Sequence, residues 1–284
     1  MRKNLSLSLV LGVVAVAGVV AFVGWKASGG WSSVPSSPTV ARVHAAAERM
    51  RQEPSRSLGP PDPRRAEALA RLGQGDHGGA LELLKSIQRS RPDDIESVFY
   101  EALALKESKR YSEAKVALER VLDAPPQFRR PWTALYYYGW VLLYAGDADG
   151  ARAAFTAFLE FDPDEPDAHF GIGLLDLDRP DLDAAESRFR TAITLAEAGI
   201  RGGKSKLVPD LAKSKARLAE VLFERDRNAE ARDLLREALK LAPQAHEAWY
   251  LLHRVSKKLG DSAGAAEALA RHAATKPACE PKSP

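Results

Sequence analysis

The residues of this chain that could carry out chemistry are few and scattered. Two of the six histidines, His246 and His253, are seven residues apart on one predicted helix and could share a face. A metal site would need further ligands nearby, so packing roles are favoured for both. The acidic residues Asp162, Asp164, Glu165 and Asp167 lack the central glycine and final glutamate of a calcium-binding loop.

Sequence motifs of enzymes are also missing. The phosphate-binding pattern G-x-x-x-x-G-K-[ST], the nucleophile pattern G-x-S-x-G and the zinc pattern H-E-x-x-H do not occur. The single cysteine, Cys279, can form neither an internal disulfide nor a cysteine-rich zinc site. We therefore expect no metal, no cofactor and no enzymatic activity.

The composition indicates which elements must position the remaining residues. The chain has 284 residues, of which 47 are alanine and 35 are leucine, and both are good helix formers. From residue 45 onward it has only seven valines and five isoleucines, too few branched residues for a large β-sheet core. We therefore predict an all-α fold. The net charge of +3 is too small to indicate nucleic acid, so none is expected as a partner.

A repeat organises most of the chain. An alanine is followed four residues later by a large apolar residue and, in five of the six copies, twelve residues later by a proline. Three of the five steps between these alanines have the same length, and the other two carry insertions of three and twelve residues. Gly139 and Gly173 precede their alanines by the same interval, where two helices are expected to approach closely. The alanines are Ala80, Ala114, Ala151, Ala185, Ala231 and Ala265.

With this pattern the chain resembles the tetratricopeptide repeat family, whose repeat of about 34 residues reads W-x2-L-G-x2-Y, then A-x3-F, then P. The third repeat shows Gly139, Leu142, Ala151, Phe155 and Pro163. The resemblance implies an α-solenoid of about six helix hairpins that form a right-handed superhelix with a concave inner face. It covers residues 64–277, with an insertion near 199–210, and leaves residues 278–284 as a disordered tail. Gly-Asp pairs at 75, 146 and 260 are expected to form hairpin turns.

Residues 1–27 are predicted to form a membrane anchor. Leu5–Trp25 is an uncharged run of 21 residues that would be about 31 Å long as a helix, enough to cross a bilayer. Arg2 and Lys3 precede it, which predicts a cytoplasmic N-terminus and a periplasmic or otherwise extracytoplasmic solenoid. The alternative is a cleaved signal peptide, with a small-residue cleavage site ending at Ala21 or, with a poorer match, at Gly29. Either segment would carry the rest of the chain across the membrane.

Residues 28–63 have the composition of a flexible linker rich in proline, serine and glycine. Within it, Thr39–Glu53 could form one short helix with Thr39 as its N-cap. The region is basic, so it is expected either to be a solvated tether or to contact anionic lipid head groups weakly.

The resemblance also indicates where a partner would bind. In this family the first helix of each hairpin lines the groove, and residues one turn apart on its inner face contact ligands. The matching places here are Phe99, Leu103, Tyr136, Trp140, Tyr144, Phe170 and Leu174. We expect this apolar stripe to be exposed as a partner-binding groove, because other residues already fill the core places. The alternative is that these side chains pack against neighbouring repeats.

A second candidate surface is basic. Residues 201–217 hold six bases and one acid. The bases are Arg201, Lys204, Lys206, Lys213, Lys215 and Arg217. They are expected to form either a solvated loop or a patch for an acidic partner.

These features together favour a membrane-anchored scaffold of the bacterial cell envelope that binds other proteins in its groove and assists assembly of a multiprotein complex. One alternative is a soluble periplasmic protein released by signal-peptide cleavage. Another is self-association through the small-residue face Ala263–Ala274, because the last repeat lacks the polar cap that repeat proteins normally carry.

Overall fold

The computed structural model describes residues 37–53, 60–179 and 181–276. The described residues from 39 onward belong to one compact unit. The predicted anchor and the predicted C-terminal tail lie outside the described residues. None of the helices in the described ranges combines the length and the hydrophobicity needed to cross a bilayer.

The regular elements of the described residues are helical. The α-helices are α1 (Pro38–Gln52), α2 (Pro63–Gly73), α3 (His77–Ser90), α4 (Ile95–Glu107), α5 (Tyr111–Asp123), α6 (Thr133–Tyr144), α7 (Ala148–Leu159), α8 (Pro166–Asp178), α9 (Leu182–Arg201), α10 (Val208–Glu224), α11 (Asn228–Leu241), α12 (His246–Lys258) and α13 (Ser262–Thr275). A short 3₁₀-helix, Ser205–Leu207, lies between α9 and α10. From α2 onward these helices form six antiparallel pairs, as the repeat predicts.

The turns within three of the pairs follow from the Gly-Asp dipeptides. Gly75, Gly146 and Gly260 have φ values of +80°, +83° and +75°, the left-handed region in which glycine has no Cβ to clash. The aspartate that follows each glycine caps the next helix, as when the Asp76 carboxylate accepts a hydrogen bond from the Gly79 amide at 2.9 Å. The predicted turn chemistry is therefore confirmed.

The pairs stack into two layers. The first helix of each pair contacts the first helices of its neighbours in series, from α2 through α12. These six helices form the inner layer of a solenoid, and their partners form the outer layer. The six repeat alanines are between 0% and 4% exposed, because each lies where two helices cross closely. The Ala and Leu spacing thus defines the core.

Gly139 shows how closely the layers approach. A Cβ at this position would lie 2.7 Å from the Phe155 ring, and a Cβ at Gly173 would lie 2.7 Å from the Phe189 ring. Such distances are shorter than van der Waals contact, so the absence of a side chain at both positions allows the phenylalanines to fill the space between helices. The predicted close approach is confirmed.

Helix α1 has nearly the same bounds as the predicted Thr39–Glu53 helix. It packs against the solenoid and is not a solvated tether. Val43 is fully buried, and Ala46 and Ala47 are each 1% exposed within the main core cluster. The methyl group of Thr39 approaches Gly150 of α7. An amphipathic helix of this kind is held by burial of its apolar face rather than by its own propensity.

Arginines of α1 hold the helix against the outer layer. Arg42 forms ion pairs with Glu119 and Asp123 of α5 at 3.1 and 3.0 Å. Arg51 forms an ion pair with Glu160, directly after α7. Both arginine side chains are therefore engaged within the protein.

The insertion near 199–210 also differs from a solvated loop. It lengthens α9 to 20 residues and adds the 3₁₀-helix before α10. Leu207 of the 3₁₀-helix packs with Ala196 and Leu211, all of them buried. This small satellite cluster explains why the inserted residues are ordered.

Glu186 of α9 is a buried carboxylate that joins the fourth helix pair to Arg227 of the fifth. Its carboxylate accepts hydrogen bonds at 2.8 Å from the guanidinium groups of Arg190 and Arg227. Burial alone would raise the pKa of Glu186, but these charged donors outweigh it and hold the pKa below the ordinary value of 4.5. The ionised form is therefore the one that stabilises the fold.

Candidate functional site: the concave face

The predicted groove residues lie on the first helices α4, α6 and α8, but they differ in exposure. Phe99, Trp140 and Phe170 are each 6% exposed, whereas Tyr144 is 52% exposed. The other three are half-buried: Leu103, Tyr136 and Leu174. The stripe therefore mixes structural and accessible side chains.

The expectation that the whole stripe is surplus to packing is corrected by its ring contacts. The Phe99 ring stacks on Phe128 at 5.1 Å between centroids. The Trp140 ring meets Phe155 edge-on at 5.3 Å, and Phe170 lies 5.6 Å from Phe189. Sequence spacing could not show this, because each of these rings contacts a side chain outside its own helix.

The side chain of Lys213 in α10 lies over two aromatic rings of the stripe. Its ammonium group lies 4.8 Å from the centroid of the Phe170 ring and 5.7 Å from that of Trp140. It forms ion pairs with Asp167 of α8 and with Asp210, the latter at 3.0 Å. Burial lowers the pKa of Lys213, but the two carboxylates outweigh it and the pKa is raised. The charge of this lysine is therefore already compensated within the protein.

Tyr136 is held by the same carboxylate. Its hydroxyl donates to Asp167, and its pKa is raised first by burial and then by the negative charge of Asp167. Tyr136, Asp167 and Lys213 thus join three successive first helices through one polar network. The network fixes the side chains that form one wall of the groove.

An open cleft of about 710 Å³ lies beside this wall, between α8, α10 and α12. Its floor is made of alanines such as Ala216 and Ala248, so the helix backbones are close to the surface. Tyr250, 47% exposed, and Leu251 provide apolar contact area on α12. The volume is within the roughly 300–1,000 Å³ typical of ligand sites.

The rim of the cleft carries charges of both signs. Arg217 is compensated by an ion pair with Glu220 at 2.7 Å. Arg254 and Glu247 have no ion-pair partner among the described residues, although the Arg254 guanidinium lies 4.8 Å from the Phe223 ring centroid. The cleft can therefore bind an apolar segment and also pair with one acidic and one basic group.

The predicted basic patch is not one surface. Lys213 points to the groove, whereas Lys215, 8% exposed, forms ion pairs with Glu197 and Glu237 at 3.0 and 2.6 Å. Alternate residues of a helix face different ways, and the sequence run concealed this. Arg217 pairs with Glu220. The other three bases are exposed and have no ion-pair partner in the described chain: Arg201, Lys204 and Lys206.

Tyr250 and Arg254 were missed by the sequence reasoning. Tyr250 precedes Ala265 by the same interval as Tyr136 precedes Ala151. Extending the stripe to the sixth repeat would have found it. Arg254 follows one turn later on the same face.

Two histidines of the last pair are held by hydrogen bonds to the backbone. The Nδ1 atoms of His253 and His272 bond to the backbone carbonyls of Ala265 and His246, both at 2.8 Å. Across the described residues, no three histidine, cysteine or carboxylate side chains are placed to hold a metal ion.

Comparison with known proteins agrees with this architecture. Three family models, each described as tetratricopeptide repeat, match residues 71–136, 139–200 and 212–255 and together cover more than half of the chain. Protein FlbA of Caulobacter vibrioides is 34% identical over 106 residues, which are 37% of this chain and 17% of FlbA. The chain therefore matches only a small part of that relative.

Solved structures show the same fold. A chain of the APC/C heterotetramer Cut9–Hcn1 matches with a TM-score of 0.66 and 15% identity, over 84% of this chain and 45% of that one. PilF of Pseudomonas aeruginosa matches with a TM-score of 0.61 and 15% identity, over 84% of this chain and 94% of PilF. The repeat spacing, the paired helices and the three matching models place this chain in the tetratricopeptide repeat family.

Proposed function

We propose that the protein is a scaffold that binds a short segment of a partner protein in the cleft between α8, α10 and α12. The observation that carries the proposal is the cleft itself, with its alanine floor and the half-exposed Tyr250. Exposed aromatic side chains beside an apolar floor are typical of interaction sites. The rim groups Arg254 and Glu247 would fix the register of the bound segment through one charge of each sign.

The test is site-specific photocrosslinking in the cells from which the protein comes. A photoreactive amino acid replaces Tyr250 in the full chain, and a control chain carries it at Val116, which is 58% exposed on the outer helix α5. We expect a discrete adduct from position 250 that position 116 does not give. An equal yield from both positions would refute the cleft as the binding site.

A second variant tests whether the partner occupies the space inside the cleft. Ala216→Trp places a large ring on its floor, and it should weaken binding of the crosslinked partner, once purified, at least about tenfold. Tyr144→Ala, which changes the exposed part of the stripe outside the cleft, is the matched control. Binding that survives Ala216→Trp would show that the partner lies elsewhere.

We also propose that Leu5–Trp25 anchors the protein in a membrane, with the solenoid on the extracytoplasmic side of a bacterial envelope. The support is the long uncharged run and the preceding Arg2 and Lys3. Cell fractionation should find the full chain in membranes after alkaline extraction. N-terminal sequencing that begins after Ala21 would instead establish a cleaved signal peptide.

A further inference from the structure

Helix α1 is docked in a groove on the outer layer of the solenoid, between α5 and α7. Val43 is fully buried there, and the Thr39 methyl group approaches Gly150 near the start of α7. Arg42 adds ion pairs with two carboxylates of α5, at 3.1 and 3.0 Å. The structure thus shows how an amphipathic helix binds to this layer, through a buried apolar face and matching charges at the rim.

A corresponding groove of about 270 Å³ lies between α11 and α13, and no helix of the described chain fills it. We call it the α11–α13 groove, and its apolar lining is Leu239, Trp249, Leu252 and Ala268. Gly264 also lines it and corresponds to Gly150, because each directly precedes its repeat alanine. At Gly150 the atom nearest to an added Cβ would be the Thr39 methyl carbon. At Gly264 the three nearest would belong to Asp261, which caps α13. The place that Thr39 takes in the first groove is therefore open in the second.

The floor of the α11–α13 groove is formed by uncharged side chains of α12. They lie sixteen, thirteen and nine residues before the repeat alanine and are Trp249, Leu252 and Ser256. At three of the five junctions between helix pairs, one of these places holds a buried charged residue: Glu101, Asp176 and Lys215. Each of these three is already paired or hydrogen-bonded within the solenoid. Uncharged residues hold all three places in the α11–α13 groove and in the groove that α1 fills, so a helix can cover either floor without burying a charged side chain.

The rims of the two grooves carry charges of opposite sign. The acids of α5 that pair with α1 lie five and nine residues after their repeat alanine. The same places in α11 hold Arg236 and Lys240, both exposed and both lining the groove. Arg236 reaches Asp261 at 4.0 Å, and Lys240 has no ion-pair partner within the described ranges. A helix docked as α1 is docked would therefore need an acidic residue where α1 has Arg42.

One more base and one more acid complete this rim. The Arg271 guanidinium lies 6.0 Å from the centroid of the Trp249 ring. Glu267 is the one acid among the described residues that line the groove. Helix α1 of a second copy would bring three arginines and one glutamate to these charges, and residues 276–284 hold two lysines and one glutamate. Neither segment supplies the acidic residues that Arg236 and Lys240 require, so the charges favour a different protein.

We propose that the α11–α13 groove binds an acidic amphipathic helix of a partner protein. The apolar face of that helix would cover Trp249 and Leu252, and its carboxylates would pair with Arg236 and Lys240. The groove is smaller than the roughly 300–1,000 Å³ typical of small-molecule sites, which favours the side chains of one helix face. None of its lining residues lines the cleft between α8, α10 and α12, so this proposal and the partner-binding cleft can fail independently.

The first test is fluorescence anisotropy of labelled peptides titrated with the full chain in detergent micelles. The probe peptide has the sequence of α1 with Arg42→Glu and Arg51→Glu, and the reference peptide has the original sequence. The second replacement should approach Arg271, because Arg51 pairs with Glu160 in its own groove and Arg271 lies one turn before the corresponding place in α13. We expect the probe to bind with a dissociation constant below about 500 µM and at least about tenfold more tightly than the reference.

Two double variants with the same change in net charge locate the site. Arg236→Glu with Lys240→Glu gives the groove the acidic rim of the α1 groove, so the reference peptide should then bind more tightly than the probe. Lys204→Glu with Lys206→Glu changes exposed lysines of the insertion and should leave the original preference. A probe that fails to bind below about 500 µM, or a preference that Arg236→Glu with Lys240→Glu does not change, would overturn the proposal.

The second test is photocrosslinking in the source cells, with a photoreactive amino acid in place of the exposed Glu267. We expect an adduct whose crosslinked segment, identified by mass spectrometry, is an amphipathic sequence rich in aspartate and glutamate. Arg236→Glu with Lys240→Glu should remove this adduct, whereas Ala216→Trp, which fills the cleft, should leave it. A crosslink to residues 277–284 or to a second copy of this chain would refute the acidic partner.

Discussion

Replacing Trp140 by alanine separates the two roles that a groove aromatic can have. A side chain exposed for binding could be removed with little loss of stability, whereas Trp140 is 6% exposed and meets Phe155 at 5.3 Å and Tyr144 at 5.7 Å. Truncating a buried tryptophan leaves a cavity and typically costs about 3–5 kcal/mol. We expect about 3 kcal/mol here, because Lys213 and Tyr144 can move partly into the space.

The assay is chemical denaturation followed by far-UV circular dichroism, with thermal melting as a second readout. For a solenoid of this size, about 3 kcal/mol corresponds to a fall of about 6–12 °C in the melting temperature. Tyr144→Ala is the matched control on the same stripe, and its 52% exposure predicts a loss of about 1 kcal/mol or less. If Trp140→Ala costs less than the control, the argument that its ring belongs to the core is refuted.

Two further predictions concern packing and pH. Gly139→Ala should cost about 1–3 kcal/mol, because the new Cβ would lie 2.7 Å from the Phe155 ring. Gly78→Ala in α3 is the control: its new Cβ would meet only the Asp76 Oδ1 atom, at 4.0 Å, which is ordinary van der Waals contact, so no loss of stability is expected in the same denaturation assay. Equal effects at both glycines would contradict the close approach. The depressed pKa of Glu186 means that its ionised form stabilises the fold above about pH 4.5 and that this contribution is lost as the pH falls through the folded-state value. Stability measured from pH 6 to pH 3 should therefore fall less steeply in Glu186→Gln, and an unchanged slope would contradict the hydrogen-bonded carboxylate.

The hairpins illustrate what local sequence can establish. Ala151 and Gly139 are small because two helices cross there, and Gly146 adopts φ +83° because the chain must turn. These requirements arise within one repeat unit and recur in the next. A spacing rule is therefore enough to find them.

Helix α1 shows the limit of that reasoning. The sequence predicts a helix near residues 39–53, but it cannot show that Val43 is buried against the outer layer or that Arg42 pairs with Glu119 and Asp123. Those contacts join residues that are far apart in the chain, and no local pattern encodes which distant surface will receive the helix.

By itself, the sequence determined the all-α class, the six pairs and the turns, because these depend on residue type at fixed local spacing. The tertiary structure decided which groove aromatics are accessible, since Trp140 and Phe170 are covered by neighbouring pairs while Tyr144 and Tyr250 are not. It also decided that the positive charge of Lys213 is compensated by ion pairs with one carboxylate of α8 and one of its own helix. Exposure and charge compensation depend on what the stacking of the pairs brings near each side chain, and only the assembled solenoid defines that.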